Sequence, residues 1–466
     1  MVCRIILKER HFMKKIIRNM TSFSFVISFL TMLAIPASAI TVEDVKPIIE
    51  EAYFEEVDES IYNGTVDDVF NELDPYSTYY TDEEYNQFMN SIEQSFVGIG
   101  ISFEVVQEGA FIQYVFPGSP AEQAELEPGD IIIEVDGESL NGASSEKMVA
   151  LIGGDVNTTV NLTIKRGETT FNVNIQREEI QAPIVQSGKL AGNIGYIHFS
   201  SFPGELTQMI QQHKQALNGV DGWIVDIRNN GGGLLTSAQK LLGMFEGIDT
   251  TMVANFKEYH DTIQTIDQDE KFSKPMNLLI NEYSASASEI FAAALKDYEK
   301  ATLFGNTTFG KGRMQNLFDL PEGGIVKLTV ATFLSPFGNI IDGVGVEPHI
   351  KTNQPLEDAH WDQLNEVFEY NVFQHLEDIN PDHQFKITLN QKADLETFKD
   401  KVKLATLGGE LIDFEVDFLE NNRYEVSPNS SLKSGGEYAM YIQPGWTNSE
   451  GRLANEGAIV RISVSE

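Results

Sequence analysis

Apolar positions change their spacing several times along this chain, and each change predicts a different kind of element. Between residues 41 and 93 they recur at intervals of three and four, as at Val42, Val45, Ile48, Ile49 and Tyr53, among many acidic residues and with a break at Asn63-Gly64. A small helical region is expected there. From Phe96 to about Gln176 the texture turns to short β-rich runs at 99–105, 111–116, 131–135, 160–164 and 171–175, separated by Gly, Pro and Asp turns. Helical stretches at 120–126 and 145–152 interrupt them. From Ile194 to about Ile350 strands and helices alternate: strand at 194–199, helix at 205–217, strand at 222–227, helix at 234–245, strand at 276–280, helix at 287–297 and strand at 301–304. That alternation predicts a layered α/β core. Trp361, Leu364, Val367 and Phe368 mark an amphipathic helix over 356–376. Beyond about Gln384 short strands return, with turn clusters at Asn421-Asn422, Pro428-Asn429-Ser430-Ser431, Gly435-Gly436 and Asn448-Ser449-Glu450-Gly451, as in a β-sandwich.

A chain of 466 residues exceeds what one ordinary core supports. The patterning divides it into a leader (1–39), a helical N-terminal region (40–93), a β-rich module (94–178), an α/β core (179–355), a connecting helix (356–383) and a β-sandwich (384–466). The leader has a basic start at Lys14, Lys15 and Arg18, an apolar run from Phe23 to Ile35 and the small residues Ala37-Ser38-Ala39. These are the parts of a secretory signal peptide, with Met13 standing where such a leader usually begins. The expectation is a secreted or extracytoplasmic protein, tethered to the membrane if the leader stays uncleaved. Cys3 is the only cysteine, so no disulfide is expected, and stability must come from packing. A formal charge of −37 repels nucleic acid and anionic lipid.

Two short segments carry candidate chemistry. Asn281-Glu282-Tyr283-Ser284-Ala285-Ser286-Ala287-Ser288-Glu289-Ile290 follows an apolar strand and leads into an Ala-rich helix. Small side chains there let a substrate backbone approach, and the helix start offers free N–H groups to a developing negative charge. The second segment is Phe309-Gly310-Lys311-Gly312-Arg313-Met314-Gln315. A lysine between two glycines lacks bulky neighbours that would hold it at the surface, and a desolvated ammonium loses its proton more easily. Such an amine can act as general base for a serine. None of the eight histidines lies in an HExxH pattern, and no metal site or cofactor is expected. Gly305 to Lys311 fits the start of a phosphate-binding loop, but Gly312 replaces the hydroxyl residue that would ligate a metal. Ser144-Ser145-Glu146-Lys147 contains the S-x-x-K spacing without a Lys-Thr-Gly partner, and reads as a solvated helix face.

Together these segments resemble the carboxy-terminal processing, or tail-specific, serine peptidases over about 41–350. The resemblance rests on ordered motifs: Asp74-Pro75-Tyr76-Ser77-Thr78-Tyr79-Tyr80-Thr81, Phe96-Val97-Gly98-Ile99-Gly100-Ile101, Ser119-Pro120-Ala121, Pro128-Gly129-Asp130, Asp226-Ile227-Arg228-Asn229-Asn230-Gly231-Gly232-Gly233, the serine run and Gly310-Lys311-Gly312. It implies Ser286 as nucleophile, Lys311 as base and Gln315 as the residue that orients the base. It also implies an oxyanion hole from the N–H groups of Gly232 or Gly233 and of Ala287. Asp297 matches a family aspartate, for which a structural salt bridge is expected. Gly231 stands where the family usually has proline. The β-rich module resembles a PDZ domain, which implies that Gly98, Ile99, Gly100 and Ile101 bind a substrate's terminal carboxylate and that neighbouring apolar residues take an apolar last side chain. The final segment resembles bacterial Ig-like domains. The implied protein is a secreted Ser–Lys endopeptidase that cleaves proteins near apolar C-termini, associates with the cell envelope, forms homodimers and binds no nucleic acid. Its rival is a catalytically silent envelope protein that only holds peptides through its PDZ and Ig-like modules.

Overall fold

The computed structural model describes residues 2–3, 40–368 and 370–466, so the expected leader, apart from residues 2–3, lies outside the described residues. The chain forms two compact units: Asn86–Ile184, and the segments before and after it.

The larger unit is built on a six-stranded sheet in the order Val185–Leu190, Ile194–Phe199, Gly222–Asp226, Met276–Ile280, Thr302–Gly305, Ile350–Lys351. The first pair is antiparallel and the rest run parallel. Gly222–Asp226 and Met276–Ile280 are buried at every position, as strands covered on both faces must be. Ile194, Ile224, Leu279 and Phe304 pack against Ala359 of helix Pro355–Phe368. Ile197, Phe199 and Val225 instead meet Ile210, Leu241, Phe245 and Phe291, from the elements on the opposite side. Parallel strands leave their loops at the carboxyl ends, where ligands bind in such sheets. Here those ends lead into 227–233, 281–286 and 306–312, the segments in which the sequence motifs lie.

Sequence periodicity does not reveal a second, antiparallel sheet. It contains Arg313–Asp319, Ile325–Leu334, Thr250–Phe256 and His260–Gln264, with Thr78–Tyr80 paired to Ile325–Lys327. Val45, Ile49, Val69 and Phe70 from the N-terminal helices pack on Leu320, Val326 and Leu328 of this sheet's hairpin. The helix Val42–Ala52 starts where Thr41 meets Asp44, whose carboxylate accepts the Thr41 N–H at 2.8 Å. The segment expected as a separate helical region is therefore built into the larger unit through a shared core.

The connecting helix is shorter than expected. It ends at Phe368, and Asn371–Val372 and Leu376–Ile379 already pair with Ala458–Val464. Aromatic packing explains the early end, because Phe368 stacks on Tyr370 at 5.3 Å and Tyr370 packs at a tilt against Tyr441 at 5.7 Å, drawing the chain into the terminal sheet. The terminal region is two β-sheets, Val402–Thr406, Glu437–Ile442 and Ala458–Val464 facing Phe385–Thr388, Arg423–Pro428 and Phe414–Phe418. Leu404, Met440 and Ile462 share one apolar core with Phe385, Val416 and Val426. His360 locks this layer to the rest: its Nδ1 accepts the Gly408 N–H at 2.9 Å, which leaves Nε2 to donate to Ala191 O at 2.8 Å.

The smaller unit is a six-stranded antiparallel sheet in the order Ile101–Val106, Gly109–Val115, Ile131–Val135, Thr159–Arg166, Thr169–Gln176, with Glu138–Ser139 beside Ile131–Val135. Helices Pro120–Gln123 and Ser145–Ile152 lie at the expected places, and Ile99, Ile112, Ile132, Met148 and Leu162 form its core.

Candidate active site

Ser286 stands at the turn between strand Met276–Ile280 and helix Ala287–Asp297 with φ 59 and ψ −112. A non-glycine residue in that conformation is strained, and strain of this kind persists where the surroundings impose it. The surroundings are hydrogen bonds on both sides. Ser284 Oγ donates to Ile227 O at 2.8 Å, Ala285 N–H to Asn230 O at 3.0 Å and Ser288 Oγ to the same carbonyl at 2.8 Å. The resemblance singles out the middle serine, and the structure shows a physical difference among the three. Ser284 and Ser288 spend their hydroxyls on the neighbouring loop, whereas Ser286 Oγ is buried, 1% exposed as a residue, and has no hydrogen-bond partner among the described residues. A buried hydroxyl without a partner is costly unless it serves a function.

Glu289, one turn further on, was not singled out by the sequence motifs. It is fully buried, and four donors converge on its carboxylate: Thr308 Oγ1 at 2.7 Å and Gly310 N–H at 2.6 Å on Oε1, Lys311 N–H and Ser286 N–H each at 2.8 Å on Oε2. The amide nitrogens of Ser286 and Lys311 thus share one oxygen and lie no more than twice that distance apart. Burial pushes the Glu289 carboxyl up while its four donors oppose the shift. With donors on both oxygens, no acceptor is left for a carboxyl proton, and the ionised form fits. Its signal in the sequence was the S-x-x-E spacing of a capping box at the helix start.

Lys311 is largely withdrawn from solvent, and its Nζ lies 4.5 Å from the centre of the Tyr76 ring. Burial lowers its pKa to about 8; the charge of Lys327 adds to the drop, and Asp74 and Glu289 oppose it. The glycines around Lys311 are needed for close packing rather than exposure. A Cβ on Gly310 would meet Val344 N at 3.2 Å with φ +90, and one on Gly312 would meet Asp342 N at 2.3 Å.

Gln315 is fully buried and donates from Nε2 to Thr329 Oγ1 at 3.1 Å. Thr329 Oγ1 donates onward to Asp74 Oδ1 at 2.9 Å, and Ser77 Oγ donates to Asp74 Oδ2 at 2.6 Å. The Asp74–Tyr80 motif therefore anchors the strand that follows Lys311 and supplies the ring that faces the amine.

The glycine loop is held from below by Asp226, which accepts from Arg228 N–H at 3.0 Å, from Arg228 Nη2 at 2.6 Å and from Tyr196 OH at 2.8 Å. A Cβ on Gly232 would lie 2.7 Å from Ala285 O and 2.9 Å from both Ala287 N and Ser286 Cβ, so this backbone touches the serine turn. Gly232 N–H is already given to Asn230 Oδ1 at 2.9 Å. The Gly231 position, where the family usually has proline, has open space around it.

Among the described residues Asp297 does not form the expected salt bridge. It accepts Phe337 N–H at 2.8 Å and Asn339 Nδ2 at 3.0 Å, so it closes the 335–339 turn by hydrogen bonds, with Lys296 Nζ directed to Glu347 O instead.

In the smaller unit Ile101–Val106 is an edge strand, paired only with Gly109–Val115. Ile99 O accepts Ala121 N–H at 2.8 Å, and Gly100 O accepts Phe116 N–H at 3.0 Å and Ser119 Oγ at 3.2 Å. In planar trans peptides the next N–H points the opposite way, so those of Gly100 and Ile101 face away from these acceptors. Gly100, at φ +83, is required, because a Cβ would stand 2.2 Å from Ser119 Cβ.

The structure thus sets a strained serine at a strand-to-helix junction and ties its backbone, through one carboxylate, to that of a lysine of lowered pKa. Residues 193–352 match the model of peptidase family S41, and residues 97–176 match that of the PDZ domain. A probable CtpA-like serine protease of Staphylococcus aureus (strain COL) is 36% identical over 325 residues, covering 67% of this chain and 64% of that protein. A protein of the same description from Staphylococcus epidermidis is 35% identical over 315 residues, covering 66% and 63%. The chain thus spans somewhat less than two thirds of these relatives. Among solved structures, a photosystem II D1 C-terminal processing protease aligns with a TM-score of 0.45 at 23% identity, over 70% of this chain and 96% of that one. The chain thus carries an S41 peptidase domain together with a PDZ domain.

Proposed function

We propose that the chain is an exported serine endopeptidase that cleaves proteins near their C-termini through Ser286 and Lys311. The observation that carries the reading is the shared Glu289 oxygen, which holds the backbone of Ser286, whose hydroxyl is buried without a partner among the described residues, close to that of Lys311, whose pKa is lowered. Neutral Lys311 takes the Ser286 proton as Oγ attacks the scissile carbonyl carbon. The N–H groups of Gly233 and Ala287 receive the oxyanion, because Gly232 N–H is committed to Asn230. The C–N bond breaks as the Lys311 ammonium returns its proton to the leaving amine. Water then attacks the acyl ester and gives a proton to Lys311, which returns it to Ser286 Oγ as the C–Oγ bond breaks, leaving neutral Lys311, free Ser286 and a carboxylic acid that ionises in solvent. Gln315 acts indirectly in this scheme, by fixing the strand next to the base.

The PDZ domain captures the substrate's terminal carboxylate with the outward amides of the Gly98–Ile101 loop, adds the peptide to its edge strand and prefers an apolar last residue. The terminal sandwich is Ig-like in this proposal, suited to association with the cell envelope, and the enzyme works as a homodimer. A silent peptide-binding protein gains nothing from a partnerless buried hydroxyl, which disfavours the rival reading. The test compares wild type with Ser286→Ala and Lys311→Ala on a protein substrate ending in apolar residues. Both variants should lose at least about a thousandfold in kcat/KM; retained cleavage by either one ends the proposal.

A further inference from the structure

Around this polar, buried pair the protein leaves large apolar side chains in water. Tyr283 is 61% exposed, Phe309 57%, Val344 57% and Ile340 63%. They sit on three loops that hydrogen bonds join to one another next to the reacting residues. Phe309 N–H donates to Ser284 O at 3.0 Å, Gly343 N–H to Gly310 O at 2.9 Å, and Val346 N–H to Thr308 Oγ1 at 2.7 Å. Tyr283 is three residues before the nucleophile, Phe309 two before the base, and Val344 abuts Gly310. Isolated apolar side chains on a surface are ordinary, but a group of them stitched around a reactive centre marks a binding surface. None of them serves the core, which already has its own fully buried residues on both sides of the central sheet.

From this arrangement we infer that Tyr283, Phe309, Val344 and Ile340 form a rim that takes apolar substrate side chains flanking the scissile bond. The peptidase body then has a selectivity of its own, separate from recognition of the C-terminus by the PDZ domain. The inference rests on the peptidase reading and names the substrate class of that same site. Its occupant is a peptide, because the rim is continuous with the Ser286–Lys311 pair, where the peptide must lie to react. The three loops are also tied to one another by the hydrogen bonds named above, so the surface is pre-formed.

The experiment uses the mature full chain and C-terminally amidated octapeptides, which lack the carboxylate a PDZ domain reads. The ratio of kcat/KM for peptides with Leu beside the cut to those with Asp there is measured for wild type, Phe309→Ser/Val344→Ser and, on another loop, Tyr283→Ser. Wild type should favour Leu by about thirtyfold or more, the double variant by less than about threefold, and Tyr283→Ser by an intermediate factor. An unchanged ratio in both variants overturns the rim. So does a changed sedimentation state with an unchanged ratio, which would make the surface a contact between two copies. Labelling of wild-type Ser286 by a fluorophosphonate separates the two claims. No labelling defeats the peptidase reading and the rim with it, whereas labelling with an unaltered ratio defeats the rim alone.

Discussion

Replacing Glu289 by Gln removes one oxygen atom and changes little volume, yet it should cripple the site. The carboxylate now accepts four hydrogen bonds, two on each oxygen. The amide oxygen of Gln can keep one pair; its NH2 group then faces two donors on the other side. Hydrogen bonds to a charged group contribute about 1.5–3 kcal/mol each, so the lost pair removes about 3–6 kcal/mol of local cohesion. If the amide end takes the place of Oε2, the amides of Ser286 and Lys311 lose their common acceptor. A displacement of about 1 Å between nucleophile and base costs on the order of a hundredfold in rate, and kcat/KM should fall by about that factor. A structural defect alone would leave the pH dependence in place, so the assay is a full pH profile of kcat/KM on a peptide substrate, with thermal melting beside it. Glu289 raises the Lys311 pKa electrostatically, and losing its charge should move the midpoint of the profile below about 8. A variant that stays folded and keeps kcat/KM within about threefold of wild type, with an unmoved midpoint, would refute the role assigned to this carboxylate.

Three further outcomes follow from titrating groups. Activity of the wild type should rise with pH through about 8, because the lowered Lys311 pKa leaves about one-tenth of the amine neutral at pH 7, against roughly one in three thousand for an ordinary lysine. Lys327→Met removes a positive charge that depresses this pKa and should move the midpoint upward; a downward shift would contradict the electrostatics. His360 has its pKa lowered to about 4 by burial, and its Nδ1 already accepts a hydrogen bond. The unfolded chain therefore binds the proton first as pH falls below 6.5, and the His360 contribution is complete above that pH and lost toward pH 4. Denaturant titrations should show wild type losing about 2 kcal/mol more than His360→Asn between pH 7 and 5. Parallel pH dependences in the two proteins would remove His360 from the account.

Most of the central elements were legible from spacing alone. The strand Met276–Ile280 and helix Ala287–Asp297 lie where periodicity put them, and the β-rich run around Phe96–Gln176 forms its own unit. Local signals suffice there, since the strands are apolar at consecutive positions and their ends carry turn residues. The second sheet escaped because its strands, such as Arg313–Asp319, mix charged and apolar residues without strict alternation. Their partners lie far away in sequence, with Thr78–Tyr80 pairing onto Ile325–Lys327. The connecting helix ran short for a similar reason, as Tyr441 from the terminal sheet decides where the chain leaves the helix.

The chain's own order of residues determined which side chains are available for chemistry: three serines at a helix start and a lysine between glycines. It did not decide which serine is uncommitted, because Ser284 and Ser288 differ from Ser286 only in the loop that reaches them across the sheet. The glycines around Lys311 pointed to a desolvated amine, but what lowers its pKa, burial beside Tyr76 and the charge of Lys327, comes from residues elsewhere along the chain. Reactivity of this kind depends on desolvation and on hydrogen bonds between loops, and only the tertiary fold brings those together.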